Sequence, residues 1–155
     1  METIERLLAE HEFFRGIDRR YYPLLLGCVI NVRFDAGAFL FREGDPADRF
    51  YLVRRGRAAI EISAPERGGI VVETVGPGEV IGFSWLFPPY RWRFDARVLE
   101  PMTALALDGA CLRGKCEEDH ELGYQLVRKA ADVVLERLQA TRMQLLDVYG
   151  HAHAH

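Results

Sequence analysis

Apolar and polar residues alternate along the middle of the chain, and Gly, Pro and Asp residues separate the alternating runs. Alternation with a period of two is typical of strands that bury one face. Eight such runs predict a mainly β domain, an eight-stranded double-sheet jelly roll over residues 28–108. A hairpin turn is predicted at 54–56 and another turn at 100–101. The predicted strands are 29–34, 39–41, 50–53, 57–62, 70–75, 80–81, 95–99 and 102–107.

Helical patterns flank the predicted strands on both sides. Residues 2–27 are predicted to be helical, with a stop at Gly16 and a helix cap at Asp18. After the last predicted strand, the pattern predicts a short helix over 109–116 and a long helix over 121–149.

Apolar positions of the long helix follow alternating steps of four and three, which is the pattern of a coiled-coil seam. Leu126, Ala130 and Val133 form a second apolar stripe beside the seam. The second stripe would pack on the barrel while the seam pairs with a second copy; alternatively, both stripes cover one monomer. A heptad sustained over three repeats favours a homodimer through 121–149. The seam consists of Val127, Ala131, Val134, Leu138, Thr141, Leu145 and Val148.

A length of 155 residues suits one domain, predicted over residues 1–149. With 49% hydrophobic and 28% charged residues, the composition is that of a soluble globular protein. A net charge of -3 argues against a general nucleic-acid binder. No apolar run approaches a membrane span and no secretory signal precedes the domain, so a cytoplasmic protein is expected. Residues 150–155 are predicted to be a disordered histidine-containing tail, either native or the remnant of a purification tag.

Three cysteines, Cys28, Cys111 and Cys116, form an odd set without a framework spacing. Free thiols in a reducing compartment are therefore expected. Cys116 and His120 would share a helix face as metal ligands, but Cys111 would point elsewhere, so buried apolar cysteines are the favoured interpretation. A cupin-like metal enzyme is a weaker alternative, because that class has a histidine-rich strand motif that is absent here. The sequence also lacks a nucleophile elbow and a Walker loop, and we expect no enzyme.

The stretch 76–98, GPGEVIGFSWLFPPYRWRFDARV, carries the candidate chemistry. It joins a glycine-rich turn to an aromatic segment with three arginines. Aromatic rings stack on flat ligands but also fill pockets, and both interpretations stay open. An arginine fork matches a phosphate or another small anion, whereas the alternative places Arg91 and Arg93 in solvent.

Two motifs and the order of elements resemble a known family. The run FREGDPADRFYLVRRGRAAI, with Gly44 and Gly56 at its turns, and the run GPGEVIG at 76–82 are similar to the cyclic nucleotide-binding domain of catabolite-activator regulators. The resemblance implies a non-enzymatic sensor with cyclic AMP or cyclic GMP as the ligand. It also implies no direct DNA binding, since no helix-turn-helix follows the long helix, and a separate protein partner is one expectation.

The ligand-binding cassette, residues 82–96, departs from the family pattern. Phe83 stands where the family has a ribose-binding glutamate, and Phe94 stands where it has a phosphate-binding arginine. The cassette is also about two residues longer than is usual in the family. Thr141 resembles the residue whose hydroxyl contacts the purine, although a threonine is also tolerated in a seam.

These features predict a sensory module that binds a small anionic ligand in the jelly-roll pocket, between the cassette and the long helix, and signals through that C-terminal helix. The alternative is a homodimeric assembly module whose degenerate pocket binds no nucleotide. The predicted ligand-binding residues are Gly82, Phe83, Ser84, Trp85, Arg91, Arg93, Phe94, Ala96 and Thr141.

Overall fold

The computed structural model describes residues 3–66 and 68–152, and shows antiparallel strands flanked by helices. Three single-turn 3-10 helices span Glu12–Phe14, Arg19–Tyr21 and Leu26–Cys28. The α-helices are α1 Ile4–Glu10, α2 Tyr22–Leu25, α3 Gly109–Glu118 and α4 His120–Ala152. The strands are β1 Val29–Phe34, β2 Phe39–Phe41, β3 Arg49–Ala64, β4 Gly68–Val75, β5 Val80–Ile81 and β6 Asp95–Asp108.

Two long strands, β3 and β6, organise the sheet and pair with each other from Arg49↔Asp108 to Glu61↔Asp95. β5 pairs with the first half of β3, and β4 pairs with its second half. β2 pairs with the first half of β6, and β1 pairs with its second half. Besides pairing with each other, β3 and β6 therefore each pair with two further strands.

The predicted hairpin at 54–56 and turn at 100–101 are wrong, because both lie within continuous strands. Gly56 has a φ of 86°, and a Cβ there would lie 2.3 Å from the carbonyl oxygen of Pro101. Register shifts between Val53 and Ala58 absorb this bend without reversing the chain. The described residues contain six strands instead of eight, whereas the mainly β class with flanking helices is confirmed. The jelly roll stays a prediction.

The N-terminal segment is less helical than predicted. α1 is capped by the Thr3 hydroxyl, which accepts from the Arg6 N–H, and the chain then continues mostly in 3-10 turns. Gly16, with a φ of 89°, lies at the predicted break, and the Asp18 carboxylate accepts from the Arg20 N–H as the predicted cap. These short turns pack the fully buried ring of Phe14 into the same core as the strands.

The expectation of three free thiols is wrong, because Cys28 and Cys111 form a disulfide with their Cα atoms 5.6 Å apart. The antiparallel pairing of Val29 with Leu107 brings the two cysteines together although 83 positions separate them in sequence. The disulfide also removes Cys111 from any set of metal ligands. Cys116 is a free thiol, and burial raises its pKa to about 11.

The two apolar stripes of α4 lie in different environments. Leu126 and Ala130 are buried and Val133 is partly buried. The seam is exposed along its length: Val127 at its start is 49% exposed and Val148 at its end is 65% exposed. The alternative in which both stripes cover one monomer is therefore wrong, and the homodimer stays a prediction.

The long helix extends beyond its predicted end at residue 149 and continues to Ala152. The predicted disordered tail is thus helical at 150–152, and 153–155 lie outside the described residues. Within the described residues, the helices are either too short or too polar to cross a membrane.

Candidate functional site

Aromatic rings of the cassette pack inward between β2 and β3. The rings of Trp92 and Phe41 are stacked with centroids 3.7 Å apart and planes 4° apart, and Trp92 is 2% exposed. Phe94 packs edge-on against Phe41 at 5.6 Å, and Phe41 in turn stacks on Tyr51 at 6.3 Å. Together these four side chains form an aromatic plug, in which the cassette rings pack on rings of β2 and β3.

Gly82 lies directly beneath the aromatic plug. Its φ is 60°, and a Cβ built there would meet the Trp92 ring at 2.7 Å and the Phe94 ring at 2.9 Å. These rings therefore contact the backbone of Gly82 closely enough to exclude any atom between them. Ala96 is also fully buried and pairs with Ile60 across β3 and β6.

Arg91 and Arg93 are both exposed, on the opposite side of the chain from Trp92 and Phe94. The Arg91 guanidinium donates to the carbonyl of Gly44 at 2.9 Å, so it binds the turn before β3. The order Arg-Trp-Arg-Phe at 91–94 separates buried and partly buried rings from exposed arginines, although residues 93 and 94 form a bend and the strand β6 begins only at Asp95.

Phe83, Ser84 and Trp85 lie on another side of the cassette. Phe83 packs between Phe13 and Phe50, with centroids 6.2 and 5.5 Å away, while Ser84 is partly buried. Trp85 is 2% exposed and packs on Phe50 at 4.9 Å. These rings connect the cassette to the N-terminal segment and do not join the aromatic plug.

A cavity of about 300 Å³ lies between the cassette, α3 and α4, and we call it the cassette cavity. Trp85 and Tyr90 form one wall, and α4 contributes Leu126 and Ala130. Arg113 of α3 reaches this cavity, donates a hydrogen bond to the carbonyl of Trp85 and lies over the Tyr90 ring at 3.9 Å.

Sequence reasoning missed Arg113. It lies on α3, outside the stretch that carries the motifs, and only the packing of α3 against the cassette brings it near Trp85 and Tyr90. No local spacing in the sequence indicates that contact.

A larger cleft of about 600 Å³, the helix cleft, separates β4 and β5 from α4. Thr141 lines this cleft but is exposed, and its hydroxyl donates to the Arg137 carbonyl at 2.8 Å. The Arg137 side chain bridges the cleft, since it donates to the Val80 carbonyl and pairs with Glu73 at 3.5 Å. The structure therefore places Thr141 apart from the other predicted site residues.

The helix cleft is acidic. Two cations line it, Lys129 and Arg137. Against them stand five carboxylates, those of Glu12, Glu73, Glu79, Asp132 and Glu136. An anionic ligand would therefore meet a net negative lining.

Comparisons with known proteins agree with the sequence resemblance. The family model of the cyclic nucleotide-binding domain matches residues 31–119, more than half of the chain. The CRP-like cAMP-activated global transcriptional regulator of Mycobacterium tuberculosis is 27% identical over 145 residues, covering 94% of this chain and 63% of the regulator. The chain thus spans less than two thirds of that relative.

Solved structures show the same arrangement of elements. The N-terminal domain of a transcriptional regulator from Streptomyces coelicolor is 28% identical, with a TM-score of 0.68 over 86% of this chain and 94% of that domain. A cyclic nucleotide-binding domain from Methylobacillus flagellatus has a TM-score of 0.80 over 92% of this chain and 83% of its own. At 17% identity, the second similarity concerns the fold alone. From the family model and this fold, we conclude that the chain belongs to the cyclic nucleotide-binding domain family.

Proposed function

We propose that this chain is a non-enzymatic regulatory module that forms a homodimer through α4 and binds no cyclic nucleotide at the aromatic plug. In this proposal the paired α4 helices present a surface to a protein partner. Cyclic AMP and cyclic GMP are consistent with the family, but in this proposal the aromatic plug leaves no room for such a ligand beside Gly82.

The observation that carries the pairing is the exposed seam of α4. Its neighbours Leu126 and Ala130 are the buried face of the helix, so the exposed seam is left without an intramolecular partner surface. Leu138 is 44% exposed and Leu145 is 56% exposed, on the same heptad face. Full burial of a leucine side chain contributes about 1.5–3 kcal/mol, so a second copy on this face would be stabilising.

Two features support the absence of a nucleotide from the barrel. A cyclic phosphate needs converging donors, yet both Arg91 and Arg93 are exposed and Phe94 occupies the arginine position of the family. The Trp92 and Phe94 rings also lie against the Gly82 backbone, so a ligand ring could stack there only by displacing Trp92, which is 2% exposed.

Sedimentation velocity over a range of protein concentrations tests the proposed function. We expect the full chain to sediment as a dimer at micromolar concentration, with dissociation only on dilution. A monomer at every concentration would remove the assembly role.

A second candidate function is a cyclic nucleotide sensor that uses the helix cleft. The favouring observation is its volume of about 600 Å³ together with the Thr141 hydroxyl in its wall. Its acidic lining and the bridging pair of Arg137 with Glu73 oppose an anionic ligand. Binding of cyclic AMP that weakens in Arg137→Gln and Thr141→Val, but not in Arg93→Gln, would favour this candidate.

A further inference from the structure

We propose that the cassette cavity is a binding site for a small apolar carboxylate, with the carboxylate on Arg113 and the apolar body between the cassette and α4. This site differs from the aromatic plug and from the helix cleft. The binding step does not depend on the proposed function, because one chain supplies the whole cavity.

The walls of the cavity suit an apolar body. The aromatic side chains of Trp85 and Tyr90 form one side, and Leu126 with Ala130 form the opposite side. A volume of about 300 Å³ lies at the lower end of the usual range for small-molecule pockets. The cavity therefore fits a short alkyl or aryl chain better than a nucleotide.

The positive charge of Arg113 on the cavity wall favours a carboxylate at the other end of the ligand. Arg113 is half-buried, and within the described residues no carboxylate oxygen lies within 4.0 Å of its guanidinium nitrogens. Its guanidinium donates a hydrogen bond to the Trp85 carbonyl, and a guanidinium carries five N–H donors in all. A partly desolvated cation of this kind is stabilised by a bound anion, and a carboxylate matches its planar fork.

Two further features of the lining bear on the ligand. Glu117 also lines the cavity, but it is exposed, so water and salt screen its repulsion of an anion. The indole N–H of Trp85 is buried and has no hydrogen-bond partner among the described residues. In the described part of the chain, the cassette cavity thus holds a cation without a counter-ion within 4.0 Å, and the unpaired indole N–H belongs to one of its wall residues.

Val127 connects the cassette cavity to the seam. It lines the cavity and is also the first seam position, 49% exposed. A ligand in the cavity would therefore contact the helix face that the proposed function assigns to pairing. This effect on pairing rests on the proposed function, whereas ligand binding itself does not.

The test is calorimetric titration of the full chain with 3-phenylpropionate and with its neutral analogue 3-phenylpropionamide. We expect saturable one-site binding of the acid, and affinity about tenfold weaker for the amide and for the Arg113→Gln variant, as for loss of a charge-assisted hydrogen bond. Arg93→Gln is the matched control, because it removes an equally charged, exposed arginine of the cassette. Its affinity for the acid should equal that of the wild type.

A second variant keeps the test independent of any damage to folding. Ala130→Phe fills the cavity from the α4 side and leaves Arg113 in place, and circular dichroism reports whether it folds. We expect a folded Ala130→Phe protein to lose binding of the acid. Wild-type protein that does not saturate at millimolar acid, or amide and Arg113→Gln affinities equal to that of the wild type, would overturn the proposal. Sedimentation velocity separates this outcome from failure of the dimer.

Discussion

Gly82 and Trp92 depend on each other through a contact that leaves no space between them. The sequence identifies Gly82 as a special position, because the run GPGEVIG marks it, but the ring above it comes from a different part of the cassette. Strict alternation at 91–94 indicates which side chains share a face. It does not indicate which side is inside; in the structure Arg91 and Trp92 pair with the turn at 44–46, and the Trp92 ring stacks on Phe41.

Trp92→Ala should lower the free energy of unfolding by about 3–5 kcal/mol, because it removes the central ring of the aromatic plug. Added indole should raise the melting temperature of this variant, since an apolar cavity of matching shape binds the missing ring. Thermal unfolding with and without indole measures both effects. Phe87→Ala is the control, since Phe87 is 62% exposed and its loss should change little. Equal stability of the two variants would show that Trp92 is not part of the core.

His11 should make stability depend on pH. Its Nε2–H donates to the Val53 carbonyl at 3.0 Å and its Nδ1 accepts from the Phe13 N–H at 3.2 Å, so both nitrogens are satisfied in the neutral ring. Burial lowers the pKa of His11 below its ordinary value of 6.5.

Above pH 6.5 the ring is neutral in both the folded and unfolded chain and has no effect on pH dependence. As the pH falls below 6.5, the unfolded chain binds a proton first, so the free energy of unfolding should decrease. Denaturant titrations between pH 7.5 and 5.5 measure this decrease. The control is His11→Gln, in which this part of the slope should vanish; an unchanged slope would contradict a buried neutral His11.

At the scale of elements, α4 was predictable and the corner of the sheet was not. The heptad of α4 is a local pattern, so its two stripes can be read without knowing the rest of the fold. A glycine after two arginines at 54–56 indicates a turn and a bend equally well. The contact that decides between them joins Gly56 to Pro101, which lies on another strand.

Leu138→Glu should convert the dimer to a monomer, because the charge would lie in the centre of the paired seam. Gln139→Glu adds the same charge one position away, on an exposed site outside the seam, and should leave the dimer intact. Sedimentation velocity of both variants distinguishes them. If the two variants sediment alike, pairing does not use the seam.

At the scale of the whole molecule, the two features that the sequence does not predict are the disulfide and the aromatic plug. The disulfide joins the N-terminal segment to α3 and could not be predicted from cysteine spacing, because it depends on the register of β1 against β6. The family could be predicted from its motifs, whereas the state of its pocket depends on how side chains pack.

Cys28→Ser should lower the free energy of unfolding by about 4 kcal/mol relative to the oxidised chain, because the bond closes a loop of 83 positions. Cys116→Ser, at the free thiol, serves as the control and should keep the bond. Non-reducing mass spectrometry with thiol alkylation reads out the pairing. Alkylation of all three cysteines in the unreduced wild type would contradict it.

Isothermal titration of the wild type with cyclic AMP and cyclic GMP tests most directly whether the aromatic plug excludes a nucleotide. We expect no saturable heat from either nucleotide at millimolar concentration, because the plug leaves no room beside Gly82. Saturable one-site binding of either nucleotide, lost when Ala96 beside the plug is enlarged, would contradict this expectation.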